Sequence, residues 1–161
     1  VSKGMALSGL RVGYIVADDR AMDVLYGAAV AVIGATNTAS QMAVIEAFRN
    51  NDFVQRYNKI FDERRRIAYD IFNSVPGIKM LMPEAGFFSW VNVSAAGTGD
   101  SVAADLIDKR IAAINGGAAY GEQGRDYIRI IHGSLGSNQQ VYESLMRIAE
   151  ELHELINNKN L

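Results

Sequence analysis

The chain has 161 residues, 49% hydrophobic and 21% charged, which suits an ordinary soluble domain with a real core. Sixteen basic against eighteen acidic residues leave a net charge of -2, so nothing electrostatic argues for nucleic acid or an anionic membrane surface as partner. The absence of cysteine excludes disulfides, thiol catalysis and cysteine metal sites, and the two histidines, His132 and His153, have no ligand-like spacing, so no metal is expected. No apolar run is long enough to span a bilayer and no signal peptide is visible, which makes a cytoplasmic location the default expectation.

The first thirteen residues carry Ser2, Lys3, Gly9, Arg11 and Gly13, and they run into Arg11–Ala17, an apolar alternation that predicts a buried strand. Asp18 and Asp19 predict a cap for a helix from about Arg20 to Gly27. Gly34–Asn37 breaks the pattern, and Thr38–Gln41 opens a second helix reaching about Phe48. Phe53, Tyr57, Ile60, Phe61, Ile67 and Ile71 recur at helical spacing and predict a long amphipathic helix over about 52–74, ended by Pro76-Gly77. Its run Arg64-Arg65-Arg66, beside Asp62 and Glu63, reads as a solvated face.

The remainder changes character. Strands are expected at Ile78–Met82, at Phe87–Val93 with the only tryptophan, Trp90, at Ile111–Ile114 and at Tyr127–His132. Between them lie a Pro83–Gly86 turn, a helix from Ser101 to about Lys109 capped by Asp100, and a glycine-dense loop, Asn115–Gly124. Ser137–Gln140 has the form of a capping box and opens a last helix with Val141, Leu145, Ile148, Leu152 and Leu155 in one stripe. The order of elements indicates an α/β or α+β fold.

Two constellations carry chemistry. Lys3 and Arg11 place an amine and a guanidinium at the ends of one small-residue loop, suited to a ligand with an electrophilic carbon and a phosphate. A solvated lysine and an edge arginine are the plainer reading of the same residues. Arg129 lies on a strand whose alternation sends Ile128 and Ile130 to one face and Tyr127, Arg129 and Ile131 to the other. It requires an anionic partner, either an internal carboxylate or a ligand.

The joint pattern S-K-x-x-x-L-x-G-x-R-V-G, written by Ser2, Lys3, Leu7, Gly9, Arg11, Val12 and Gly13, resembles the cofactor-lysine signature of the fold-type I pyridoxal phosphate (PLP) enzymes, in particular the class I/II aminotransferases. The resemblance implies that Lys3 carries the Schiff base and acts catalytically, and that Ser2, Lys3 and Arg11 bind cofactor, Arg11 through its phosphate. Gly117 to Arg129 resembles the family run G-x-x-[FY]-G-x-x-G-x-x-x-x-R, whose arginine clamps the substrate carboxylate. Asn115-Gly116 stands where Pro-Gly is common, a departure that leaves Arg129 in position. Pro83 to Phe88 resembles the P-x-G-x-[FY] segment, which implies that Phe87 or Phe88 lines the substrate pocket. Thr36, Asn37, Thr38 and Gln41 resemble the segment that reaches the neighbouring subunit, implying a homodimer with Thr36 and Asn37 at that contact. Residues 21 to 48 contain no arginine or lysine, which argues against distal-carboxylate recognition by an arginine there.

On this resemblance the chain is the C-terminal part of the fold-type I transferase fold, starting inside the lysine motif. Residues 1–50 would be the tail of the large cofactor domain and 51–161 the small domain, opening with an interdomain helix over about 52–74. The expected activity is PLP-dependent transfer of an amino group between an α-amino acid and a 2-oxo acid, with the isolated chain inactive because other family cofactor contacts precede the lysine. A PLP-dependent lyase or decarboxylase of the same fold, an aminotransferase-like domain of a transcription regulator, and a structural dimerisation module are the alternatives.

Overall fold

The computed structural model describes residues 1–112, 114–134 and 136–159. The chain divides into two compact units, Val1–Asn58 and Lys59–Leu161.

In the first unit a 3-10 turn, Ser8–Leu10, precedes two helices, α1 (Asp19–Val32) and α2 (Thr38–Arg49). Short polar side chains start both. Asp18 Oδ1 accepts the Ala21 N–H at 3.0 Å, and Asn37 Oδ1 accepts that of Ser40 at 3.0 Å. The alanine-rich segment after Gly27 carries α1 on to Val32, beyond the expected end at Gly27. Gly34 then stops it with φ +70° while its N–H returns to the Ala29 carbonyl at 3.1 Å. The strand expected over Arg11–Ala17 does not form. A strand needs a neighbour to pair its backbone groups, and no other segment of this unit is a strand. Tyr14, Ile15 and Val16 are exposed instead, at 65, 62 and 85%. Val44 is the buried apolar side chain of these 58 residues.

The helix α3 (Asp52–Ser74) starts in the first unit and continues into the second, where it is followed by β1 (Lys79–Met80), β2 (Phe88–Asn92), α4 (Gly99–Asp108), β3 (Asn115–Gly116), β4 (Tyr127–Ile131) and α5 (Asn138–Lys159). The strands form one antiparallel sheet in the order β1-β2-β4-β3. Its buried face, with Met80, Val91, Ile128 and Ile130, packs against Ala68, Ile71 and Phe72 of α3, Val102 and Leu106 of α4, and the α5 stripe Val141, Leu145, Ile148 and Leu152. This is a helix layer on a small sheet, an α+β arrangement.

Three sequence expectations shift. The third strand falls on Asn115–Gly116, because those residues pair with Arg129 and Ile128 of β4; Ile111, Ala112 and Ile114 are irregular, and Ala113 lies outside the described residues. Helix α4 is capped by Thr98, whose Oγ1 accepts the Ser101 N–H at 3.2 Å, rather than by Asp100, which lies inside the first turn. The capping box of α5 forms as read, with Ser137 N–H on Gln140 Oε1 at 3.1 Å and Gln140 N–H on Ser137 Oγ at 3.2 Å. The arginine run is not uniformly solvated. Arg66 and Arg65 both bond Asp62, but Arg64 is 4% exposed. Arg64 Nε donates to Asn138 Oδ1 and Nη1 to the Gly133 carbonyl, both at 3.0 Å. Burial of this charge is offset by two bonds that tie α3 to the turn between β4 and α5.

His132 lies next to that turn at 1% exposure, its Nδ1 sharing a 2.8 Å hydrogen bond with the Ser89 hydroxyl, and its Nε2 has no hydrogen-bond partner among the described residues. Burial, with repulsion from Arg64 and Arg65, pushes its pKa from 6.5 down to about 4. The unfolded chain therefore takes up this proton first as pH falls. The stabilisation from keeping the ring neutral is whole above pH 6.5 and drains away toward pH 4, by roughly 3 kcal/mol in all. Urea unfolding followed across that window should show a His132→Gln chain losing less stability than the wild type; an equal loss would place the acid sensitivity in other groups.

Candidate functional site

In the first unit the sequence-predicted cofactor residues share one loop. Ser2 and Lys3 lie in a turn closed by the Met5 N–H on the Val1 carbonyl and the Ala6 N–H on the Lys3 carbonyl, both 3.2 Å. Arg11 ends the Ser8–Leu10 turn in the left-handed region, φ +53°, and its Nη1 donates to the Ser8 carbonyl at 3.1 Å. Lys3 and Arg11 are both exposed, and a Cβ built on Gly4, Gly9 or Gly13 would meet nothing within 4 Å. The backbone at these three glycines therefore borders open space. Residues 1–17 hold one amine, one guanidinium, two serine hydroxyls and no carboxylate. That donor set suits a phosphate-bearing anion. Thr36 and Asn37 hold the start of α2: Asn37 caps it, and the Thr36 carbonyl accepts from Gln41 Nε2 at 2.8 Å.

In the second unit the register of β2 on β4 sets Trp90 opposite Arg129, Phe88 opposite Ile131 and Asn92 opposite Tyr127. All six point away from the helices, because the alternate residues Ser89, Val91, Ile128 and Ile130 fill the core. Arg129 is half-buried on this outer face. Its guanidinium carbon lies 4.7 Å from the Phe88 ring centroid and 5.1 Å from that of Tyr120. Among the described residues no acid or hydrogen-bond acceptor meets that guanidinium. The internal-carboxylate reading of Arg129 is thus absent from this geometry. Trp90 completes the cluster, edge-on to Tyr120 at 5.3 Å and stacked on Tyr127 at 5.3 Å. Phe88, Trp90 and Tyr127 line a groove of about 700 Å³ with Lys79, Leu81 and Met82.

The two candidate phenylalanines separate. Phe88 reaches Arg129, whereas Phe87 packs on Phe61 at 5.6 Å and under Gly133, where an added Cβ would come 2.6 Å from that of Phe87. Tyr120, at the [FY] position of the Gly117–Arg129 run, has no task assigned by the sequence pattern. Its aromatic position before Gly121 was the available signal.

Tyr120 reaches Arg129 because its loop is folded hard onto itself. Two 3-10 turns, Gly117–Tyr120 and Glu122–Gly124, meet where a Cβ on Gly117 would lie 1.9 Å from the Gly124 carbonyl oxygen, and one on Gly124 2.2 Å from that of Gly117. Gly121 between them has φ +101°. Gly99 at the start of α4 is equally tight, its built Cβ 1.9 Å from the Tyr127 carbonyl oxygen. These are backbone-on-backbone contacts that only glycine permits.

Residues 1–148 match the family model for aminotransferase class I and II. The chain belongs to that family. Among aminotransferases it is similar to an aspartate aminotransferase from Pyrococcus horikoshii, 30% identical over 155 residues that cover 94% of this chain and 39% of the relative. It is 26% identical to a probable aspartate/prephenate aminotransferase from Aquifex aeolicus, over 96% of this chain and 40% of that protein. Its fold matches an aromatic aminotransferase of P. horikoshii OT3 with a TM-score of 0.84 at 22% identity, covering 95% of this chain and 41% of the other. The chain thus spans about two-fifths of the length of these relatives.

In this member of the family the glycine loop has a measurable signature. Gly117→Ala or Gly124→Ala should cost about 1–3 kcal/mol through forced displacement of backbone. Thermal unfolding of the two variants checks it; a melting temperature equal to wild type would show that the loop is looser than its glycine contacts indicate.

Proposed function

We propose that the whole protein transfers an amino group between an α-amino acid and a 2-oxo acid with pyridoxal phosphate as cofactor, and that this chain contributes the lysine, the phosphate arginine and the substrate-carboxylate arginine. The reading rests above all on Arg129, a half-buried cation in contact with two rings and with no acid beside it among the described residues. A cation so placed favours an anion from outside the fold.

The residues of the first loop fit the cofactor in their chemistry: an amine for its carbonyl carbon, and a guanidinium for its phosphate, with no acid in residues 1–17 to compete. The cofactor, when bound, supplies the electron sink that makes loss of the substrate Cα proton feasible. Lys3 would hold the cofactor through its Nζ and, when its amine is free, would move the substrate Cα proton as base and then acid. Arg11 would hold the phosphate, and Ser2 would contact the cofactor beside Lys3. Arg129 takes the substrate carboxylate in its bidentate fork, and Phe88 lines that pocket. Phe87, which packs on Phe61, supports it from behind.

In the same reading residues 1–50 are the tail of the cofactor domain, and 51–161 the small domain opening with α3. Thr36 and Asn37 face the neighbouring subunit of a cytoplasmic homodimer. The absence of arginine and lysine from 21 to 48 directs selectivity for any distal carboxylate elsewhere.

Borohydride reduction of the full-length protein with pyridoxal phosphate, followed by peptide mass mapping, tests the lysine. The adduct should concentrate on Lys3 and decline in Arg11→Ala; an adduct spread over Lys59, Lys79, Lys109 and Lys159 would overturn the assignment. In the full-length enzyme Arg129→Ala should lose on the order of 3–4 kcal/mol of transition-state binding, two to three decades in kcat/KM. Unchanged kcat/KM on α-amino acids would remove Arg129 from the site.

A further inference from the structure

We infer that Phe88 and Tyr120 are positioning residues for Arg129: both rings attract its guanidinium through their faces, which holds the side chain and leaves its N–H fork to a carboxylate. The inference rests on the carboxylate reading of Arg129 and adds to it the means by which the fork is held.

The geometry is specific. The guanidinium carbon stands 4.7 Å from one ring centroid and 5.1 Å from the other, both inside the range of about 6 Å over which a cation is attracted to a ring face. The two rings come from separate elements, Phe88 from β2 and Tyr120 from the 3-10 turn Gly117–Tyr120. Each is held in turn: Phe88 lies 4.5 Å from the Phe87 ring, and Tyr120 meets Trp90 edge-on at 5.3 Å and 88°. Arginine, with its planar and weakly hydrated guanidinium, stacks on rings in a way that a lysine ammonium does not.

A ring differs from an acid as a neighbour in what it leaves unused. A carboxylate would occupy the N–H fork, whereas a ring attracts the cation through its face and accepts no fork hydrogen bond. Among the described residues the five N–H donors of Arg129 bond to nothing in the chain, yet the side chain already has fixed neighbours. The entropy of ordering a long side chain is thereby lost before the ligand arrives, and the carboxylate meets a fork already oriented.

The test uses the full-length enzyme with its cofactor, its arginine side-chain nitrogens observed by NMR and pyruvate as the probe. In the wild type, rotation about the Arg129 Nε–Cζ bond should be slow and its Nε–H shifted by ring current, and pyruvate should perturb that signal on titration. Tyr120→Leu and Phe88→Leu should each free the rotation and weaken pyruvate binding about 3-fold. Tyr120→Phe, which keeps the ring, should preserve both. Tyr120 is 47% exposed, so its truncation removes little core, and unchanged amide spectra elsewhere would verify the fold. Free rotation in the wild type, or pyruvate bound equally by wild type and both leucine variants, overturns the positioning role while leaving Arg129 a carboxylate site. Failure of the wild type to bind pyruvate at all overturns the carboxylate reading itself, and the role built on it.

Discussion

The second unit depends on the antiparallel pairing of β2 with β4. Its register sets Ser89 against Ile130 and Val91 against Ile128 on the side packed by helices, and these four are 0–2% exposed. The same register leaves Phe88, Trp90, Tyr127 and Arg129 together on the other side. Strand side chains alternate with a period of two, so a slip of one residue would drive Arg129 into the core and bring Ile128 and Ile130 to the surface. The cost of burying an unpaired cation and exposing two isoleucines makes the functional face as secure as the core itself. Stability and site geometry are one constraint here.

The glycine contacts refine what the pairing sets up. Gly99, Gly116, Gly117 and Gly124 all lie where a side chain would overlap neighbouring main chain or the Asp100 side chain. The loop can therefore fold within a few ångströms of α4 and β4, and this close return brings the Tyr120 ring, like that of Phe88 on β2, against the Arg129 guanidinium. Further along, Arg64 joins the exit of β4 to α3 through the Gly133 carbonyl and Asn138. The strand bearing Arg129 is thus held by a ladder along its length, a glycine-packed loop at its entrance and a buried arginine just past its exit.

Much of this architecture was legible in the residues. The 3.6-residue periodicity of α3 and α5 was strong because one face of each is buried, and the capping box at Ser137 named the start of α5. The alternation of Tyr127–Ile131 correctly separated Arg129 from the core. The failures have physical causes. Arg11–Ala17 has the composition of a strand, but strand formation is a property of a pair, and this unit offers no partner. Asn115–Gly116 has poor strand propensity and is recruited by the edge of β4. Arg64 sits among charged neighbours that suggest solvent, and its burial comes from acceptors about seventy residues away that no local pattern reports. The ring pair at Arg129 was hidden for the same reason, since it is assembled from two distant stretches.

Trp90 has an optical consequence. It is the chain's single tryptophan, and it lies stacked on one tyrosine, edge-on to a second, and directly across the ladder from Arg129. Light absorbed near the red edge of the protein band therefore excites one indole in one place. Its emission wavelength and intensity report the polarity and ring contacts of the arginine-bearing face alone, without a label and without a background from other tryptophans.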